Sequence, residues 1–171
     1  LTSLPQAINV MLDPADCGPA VISMSQDVQG EAYDYPEIFF EEKIHEIRRI
    51  HPDPNQIQKA AEKLKKSKQP IIISGGGVLY SEAEEEISAF AKKHNIPVTA
   101  TVMGIGCMNK DDPYYISAIG CLGEGSSNNL ATDTDLALAV GTKLGDFTTG
   151  SWTNFENENF QLVSINTSRF D

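Results

Sequence analysis

From residue 54 onward, short apolar runs alternate with segments whose apolar residues recur at helical spacing. Four runs are predicted to be strands, at residues 71–73, 96–100, 136–140 and 161–165. Continuous apolar runs are typical of parallel strands, because both faces of such strands are buried. The alternation of strand and helix therefore predicts an α/β fold, with a parallel sheet flanked by helices and joined by right-handed crossovers.

Local signals set the ends of the predicted helices. Asp53 is a predicted N-cap for a helix that carries Ile57 and Leu64 on its buried face. A second helix is predicted from Ser81, because Glu84 three residues later completes a capping box. The acidic run from Glu82 to Glu86 then complements the positive end of that helix dipole.

The residues before position 54 form less regular patterns. Apolar residues at helical spacing from Leu4 to Met11 predict a helix that Asp13-Pro14 ends, and residues 20–24 predict a short strand. One helix and one strand cannot close a core, so we expect them to complete a sheet whose other strands lie upstream. Residues 25–53 are predicted to be a connector, in which 37–50 is either a helical face or an extended segment.

Composition narrows the classes of partner. The 171 residues include 13 basic and 24 acidic residues, for a net charge of −11, and so acidic a surface repels nucleic acid and anionic membranes. No apolar run is long enough to cross a bilayer, and the first residues do not resemble a secretory signal. Three widely spaced cysteines, with no CxxC, predict reduced, part-buried thiols in a cytoplasmic protein.

Gly75, Gly76 and Gly77 lie between a predicted strand and a helix. Backbone N–H groups at such a turn can hold a phosphate, which makes these glycines a candidate nucleotide site or the remnant of one. The G-x-G-x-x-G spacing is absent, however, and a crowded turn would require glycine for steric reasons alone. Gly104 and Gly106 allow the same two interpretations.

Two further polar loops are candidates for ligand contacts. Residues 145–152 follow a predicted strand and carry three hydroxyls, a carboxylate and two aromatic rings, so they form either a ligand site or a solvated loop anchored by Phe147 and Trp152. Residues 123–129 form either an anion seat or a turn with an N-cap. The sequence contains no Ser-His-Asp order, no HExxH and no P-loop lysine, and we predict no metal ligand.

Three segments of the chain resemble a known family. GPAVISMSQDVQ (18–29), IPVTATVMGIG (96–106) and GTKLGDFTTG (141–150) are similar to the middle region of acetolactate-synthase-like thiamine-diphosphate enzymes. The resemblance implies that residues 1–30 end the pyrimidine-binding domain, 31–53 form a linker, and 54–171 form a C-terminally truncated, Rossmann-like central domain.

Within this family, residues 27–36 and 146–155 are similar to the branch that hydrolyses a C–C bond in a cyclic diketone during myo-inositol breakdown. The resemblance implies thiamine diphosphate and magnesium in the full-length enzyme, with the cofactor acting as electron sink. The activating glutamate and the Gly-Asp-Gly metal motif belong to the two flanking domains. We therefore expect this segment alone to be inactive, to contain no catalytic residue and to bind neither group. Its expected partners are the other domains of the same chain, in a homodimer or homotetramer.

An alternative remains open within the family. The central domain of the synthases holds FAD, and residues 101–106 resemble the synthases more than the hydrolase branch. Lys143 and Phe147 occupy the positions where flavin-containing relatives usually carry arginines, which argues against FAD. An NAD-dependent enzyme of the deacetylase type is disfavoured, because three scattered cysteines cannot form its zinc site.

Overall fold

The computed structural model describes residues 2–168 and divides the chain into two compact units, Leu1–His51 and Pro52–Asp171. The first unit contains the helices α1 (Ser3–Leu12) and α2 (Gln26–Gln29) and a 3₁₀ turn at Glu37–Phe39. The predicted first helix and its end at Asp13 are confirmed.

The carboxylate of Asp13 closes the end of α1. It accepts hydrogen bonds from the backbone N–H groups of Ala15 (2.8 Å) and Asp16 (2.9 Å). These bonds, Asp16's first, and the nearby charge of Arg48 lower the pKa of Asp13.

The strand predicted at residues 20–24 is wrong. These residues form neither helix nor strand, and Val21 is 91% exposed. A strand needs a neighbouring backbone for its hydrogen bonds, and the described part of this unit, residues 2–51, contains no strand that could pair with it. Residues 42–53 also form no regular element, so the helical interpretation of 37–50 is wrong apart from the short 3₁₀ turn.

The second unit contains five strands and five helices among the described residues. In chain order the elements are α3 (Pro54–Lys66), β1 (Pro70–Ser74), α4 (Gly76–Tyr80), α5 (Glu84–His94), β2 (Val98–Ala100), a 3₁₀ turn (Val102–Gly104), β3 (Tyr115–Ala118), α6 (Gly125–Asp133), β4 (Leu136–Val140), α7 (Asp146–Thr149) and β5 (Gln161–Ile165).

All five strands are parallel and lie in the order β3-β2-β1-β4-β5. β1 is central, and its Ile72 pairs with Val98 of β2 on one side and with Leu138 of β4 on the other. The predicted α/β fold with a parallel sheet flanked by helices is confirmed.

The core lies on both faces of β1. Ile72 packs with Ile87 and Ala91 of α5 in one apolar cluster. Ile71 and Ile73 point to the opposite face and join a second cluster with Ala131 of α6. The three isoleucines are at most 2% exposed, which explains their continuous apolar run.

Of the two predicted helix starts, at Asp53 and Ser81, the structure confirms the first. Asp53 caps α3, since its carboxylate accepts a hydrogen bond from the Asn55 N–H at 2.7 Å. Asn95 ends α5 in the left-handed conformation. The capping box at Ser81 is wrong, because α4 follows directly from the glycine turn and Ser81 becomes its C-terminal cap, so that α5 begins only at Glu84.

β3 was not predicted from the sequence. Each of its residues, Tyr115–Ala118, is only partly buried at the edge of the sheet. An edge strand with mixed polarity lacks the apolar run that marks the central strands.

The carboxylate of Asp135 joins the end of α3 to the start of β4. It accepts hydrogen bonds from the Ser67 hydroxyl and from the N–H groups of Lys68 (2.7 Å) and Gln69 (3.0 Å). Desolvation opposes ionisation, but these bonds outweigh it and lower the pKa of Asp135.

We predict that Asp135→Asn lowers the free energy of unfolding by about 1–3 kcal/mol at pH 7. Both oxygens of Asp135 accept hydrogen bonds, whereas the asparagine amide has only one oxygen that can accept. The lowered pKa means that this stabilisation is fully present above the unfolded value of about 3.9 and is lost as the pH falls through the folded value. Urea unfolding of both proteins between pH 7 and pH 3 measures it, and the difference between the two stabilities should begin to shrink once the pH falls below the unfolded pKa. Asp111→Asn is the control, because that carboxylate is exposed. An equal loss in both variants would contradict the prediction.

Candidate functional site

The sheet order creates a switch point between β1 and β4. The chain runs outward from β1 through β2 to β3, and then returns to β4 on the other side of β1. Loops that leave adjacent strands in opposite directions form a crevice, and open α/β sheets bind ligands there, beyond the carboxyl ends of the strands. Gly75–Gly77 follow β1 at this point, and Gly141 and Thr142 follow β4.

The backbones of the two loops lie close together at this crevice. A Cβ atom added to Gly75 would lie 2.3 Å from the Gly141 oxygen, and one added to Gly77 would lie 2.6 Å from the Gly141 Cα. Gly141 itself has a φ of +57°, which favours glycine. The outer glycines of the triplet thus have a steric role, which was one of the two interpretations from the sequence.

The hydrogen bonds of the same turn are directed inward. The Gly75 N–H donates to the Val140 oxygen (2.9 Å) and the Gly77 N–H donates to the Gly141 oxygen (2.8 Å). A phosphate at this turn would need such donors, so two of the three candidate N–H groups are already committed. Gly76 faces Met103, whose backbone oxygen would lie 3.1 Å from an added Cβ. A ligand role for the triplet stays a prediction.

The structure brings together the two polar loops that the sequence suggested separately. The Cys121 N–H, just after β3, donates to the Phe147 oxygen at 2.8 Å. Gly120 has a φ of +96°, and an added Cβ would lie 2.0 Å from that oxygen. Asn128 of α6 holds Gly120 from the other side, accepting from its N–H (2.9 Å) and donating to its oxygen (3.1 Å). We call these two hydrogen bonds between Asn128 and Gly120 a clamp. No sequence signal predicted it, because the two residues are eight positions apart and belong to no known motif.

Thr149, rather than Phe147, anchors the loop of residues 145–152. Phe147 is 71% exposed, so its predicted anchoring role is wrong, whereas Thr149 is fully buried. The Thr149 hydroxyl donates to the Gly145 oxygen (3.3 Å) and accepts from the Trp152 N–H (3.2 Å). The Trp152 side chain is 47% exposed, and its ring contacts that of Phe155 at 5.9 Å between centroids.

The loop of residues 123–129 forms a turn followed by a helix start. The Gly123 N–H donates to the Gly120 oxygen (2.9 Å), and α6 begins at Gly125 without a side-chain cap. The predicted turn is confirmed and the predicted N-cap is wrong, because Glu124 occupies the cap position without accepting a backbone hydrogen bond there.

The thiols differ more in exposure than predicted. Cys107 is fully buried, whereas Cys17 and Cys121 are exposed, and all three are free. Burial raises the pKa of the Cys107 thiol, and the neighbouring Ser74 hydroxyl only partly counteracts this. Cys107 therefore stays protonated and is a poor nucleophile. Within residues 2–168, no three His, Cys, Asp or Glu side chains come together to hold a metal ion.

An open depression lies away from the switch point. It has a volume of about 470 Å³ and is lined at the amino ends of β4 and β5 by Leu136 and Gln161. Lys63 reaches across it to donate to the Gln161 amide oxygen at 2.6 Å. This region does not include any of the candidate ligand loops. Among residues 2–168, no helix is both long and apolar enough to cross a membrane.

The parallel sheet and its glycine-filled switch point belong to a recognised class of domain. The sequence model of the thiamine pyrophosphate enzyme central domain matches residues 57–171. The chain therefore belongs to the thiamine pyrophosphate enzyme family, as the resemblance implied.

The chain is also similar to named enzymes. The chain is 41% identical over 170 residues to 3D-(3,5/4)-trihydroxycyclohexane-1,2-dione hydrolase 1 of Bacillus cereus, a match that covers 99% of this chain and 26% of the relative. The 3D-(3,5/4)-trihydroxycyclohexane-1,2-dione hydrolase of Clostridium tetani is 41% identical over the same shares, and that of Bacillus thuringiensis is 40% identical. The chain thus spans about a quarter of the length of these relatives.

We predict that Gly77→Ala lowers the free energy of unfolding by about 1–3 kcal/mol or more, because the new methyl group would overlap the Gly141 backbone. Gly125→Ala is the matched control, since no atom lies within 4 Å of its added Cβ and it begins a helix. Thermal unfolding without any nucleotide measures both variants. Equal stability of Gly77→Ala and the unchanged protein would contradict a packing role for this glycine.

Proposed function

We propose that this chain is the middle part of a thiamine-diphosphate-dependent hydrolase that opens a cyclic diketone by cleaving a C–C bond in myo-inositol degradation. The observation that carries the proposal is the 41% identity over 99% of the chain to relatives named for hydrolysis of a trihydroxycyclohexanedione. The identity extends across both compact units, and each relative reported above is named a hydrolase. The enzyme is proposed to be cytoplasmic.

We propose that the chain consists of three segments, with the bounds that the resemblance implied. Residues 1–30 are the end of the pyrimidine-binding domain, 31–53 are a linker, and 54–171 are the central domain. The family match over 57–171 supports the last assignment. The division between compact units after His51 lies near the proposed end of the linker.

The proposed role of the central domain is structural. Thiamine diphosphate, when bound in the whole enzyme, supplies the electron sink for breaking the ring bond. The described residues offer no group of three metal-ligating side chains that fits its magnesium ion, so we assign both groups to other parts of the whole protein. The other domains of the same polypeptide are the partners of this segment, in a dimer or tetramer.

We propose that the central domain binds no nucleotide. At the crevice beyond β1 and β4, the Gly75 and Gly77 N–H groups donate to the chain's own carbonyl oxygens, which supports this proposal. A dinucleotide at this site would have to displace these bonds and separate the Gly77 and Gly141 backbones.

We expect the whole protein that contains this chain to convert a trihydroxycyclohexanedione to a ring-opened acid only with thiamine diphosphate and magnesium present. Loss of the diketone and gain of the acid, followed by NMR, measure the reaction. The 171-residue chain alone is the control and should show no turnover. Condensation of pyruvate to acetolactate by the whole protein would contradict the hydrolase assignment.

A separate titration tests the ligand-free central domain. We expect calorimetry of the 171-residue chain with FAD, ADP and thiamine diphosphate to detect no binding, because two of the three N–H donors of the glycine turn are committed. Binding of FAD or ADP would favour a synthase-like enzyme. Binding of thiamine diphosphate would contradict the proposed division into domains.

A further inference from the structure

We draw no further inference here: the strongest candidate, the exposed apolar side chains of Met103, Leu122 and Phe147 in the loops at the carboxyl edge of the sheet, carries nothing, because the chain spans about a quarter of its relatives' length and nothing in the structure shows what covers this face.

Discussion

The burial of β1 on both faces is the constraint on which the rest of the sheet depends. Ile72 contributes to one core cluster, while Ile71 and Ile73 contribute to the other. Full burial of each such side chain contributes about 1.5–3 kcal/mol, and β1 lies between β2 and β4, which are themselves almost completely buried. The helices on each face and the neighbouring strands therefore take their positions from these three residues.

The central position of β1 also explains the glycine-filled switch point. Because β1 and β4 are neighbours and parallel, the loops that follow them begin at the same edge of the sheet. Glycine at positions 75, 77 and 141 lets these two loops touch through their backbones. At the crevice where other α/β proteins bind a ligand, the Gly75 and Gly77 N–H groups donate to the chain's own carbonyl oxygens. This packing supports the structural role proposed for the domain.

The predictions that were wrong, or were not made, concern elements whose formation depends on neighbouring elements. Ser81 and Glu84 have the spacing of a capping box. However, α4 already occupies Gly76–Tyr80, so Ser81 is the C-terminal cap of α4 and does not begin the next helix. Residues 20–24 have the composition of a strand, yet composition cannot supply the neighbouring strand that the backbone needs. β3 shows the converse case, because pairing with β2 makes a strand of residues whose pattern is weak.

The sequence by itself determined the features that depend on neighbours within a few residues. These include the buried run of β1, the cap at Asp53, and the family to which the chain belongs. Only the tertiary structure decided which loops meet, as in the clamp of Asn128 on Gly120 and the bonds from Asp135 to the end of α3. The physical reason is that periodicity reports which side of an element is buried, whereas the order of strands in the sheet sets which distant residues face each other.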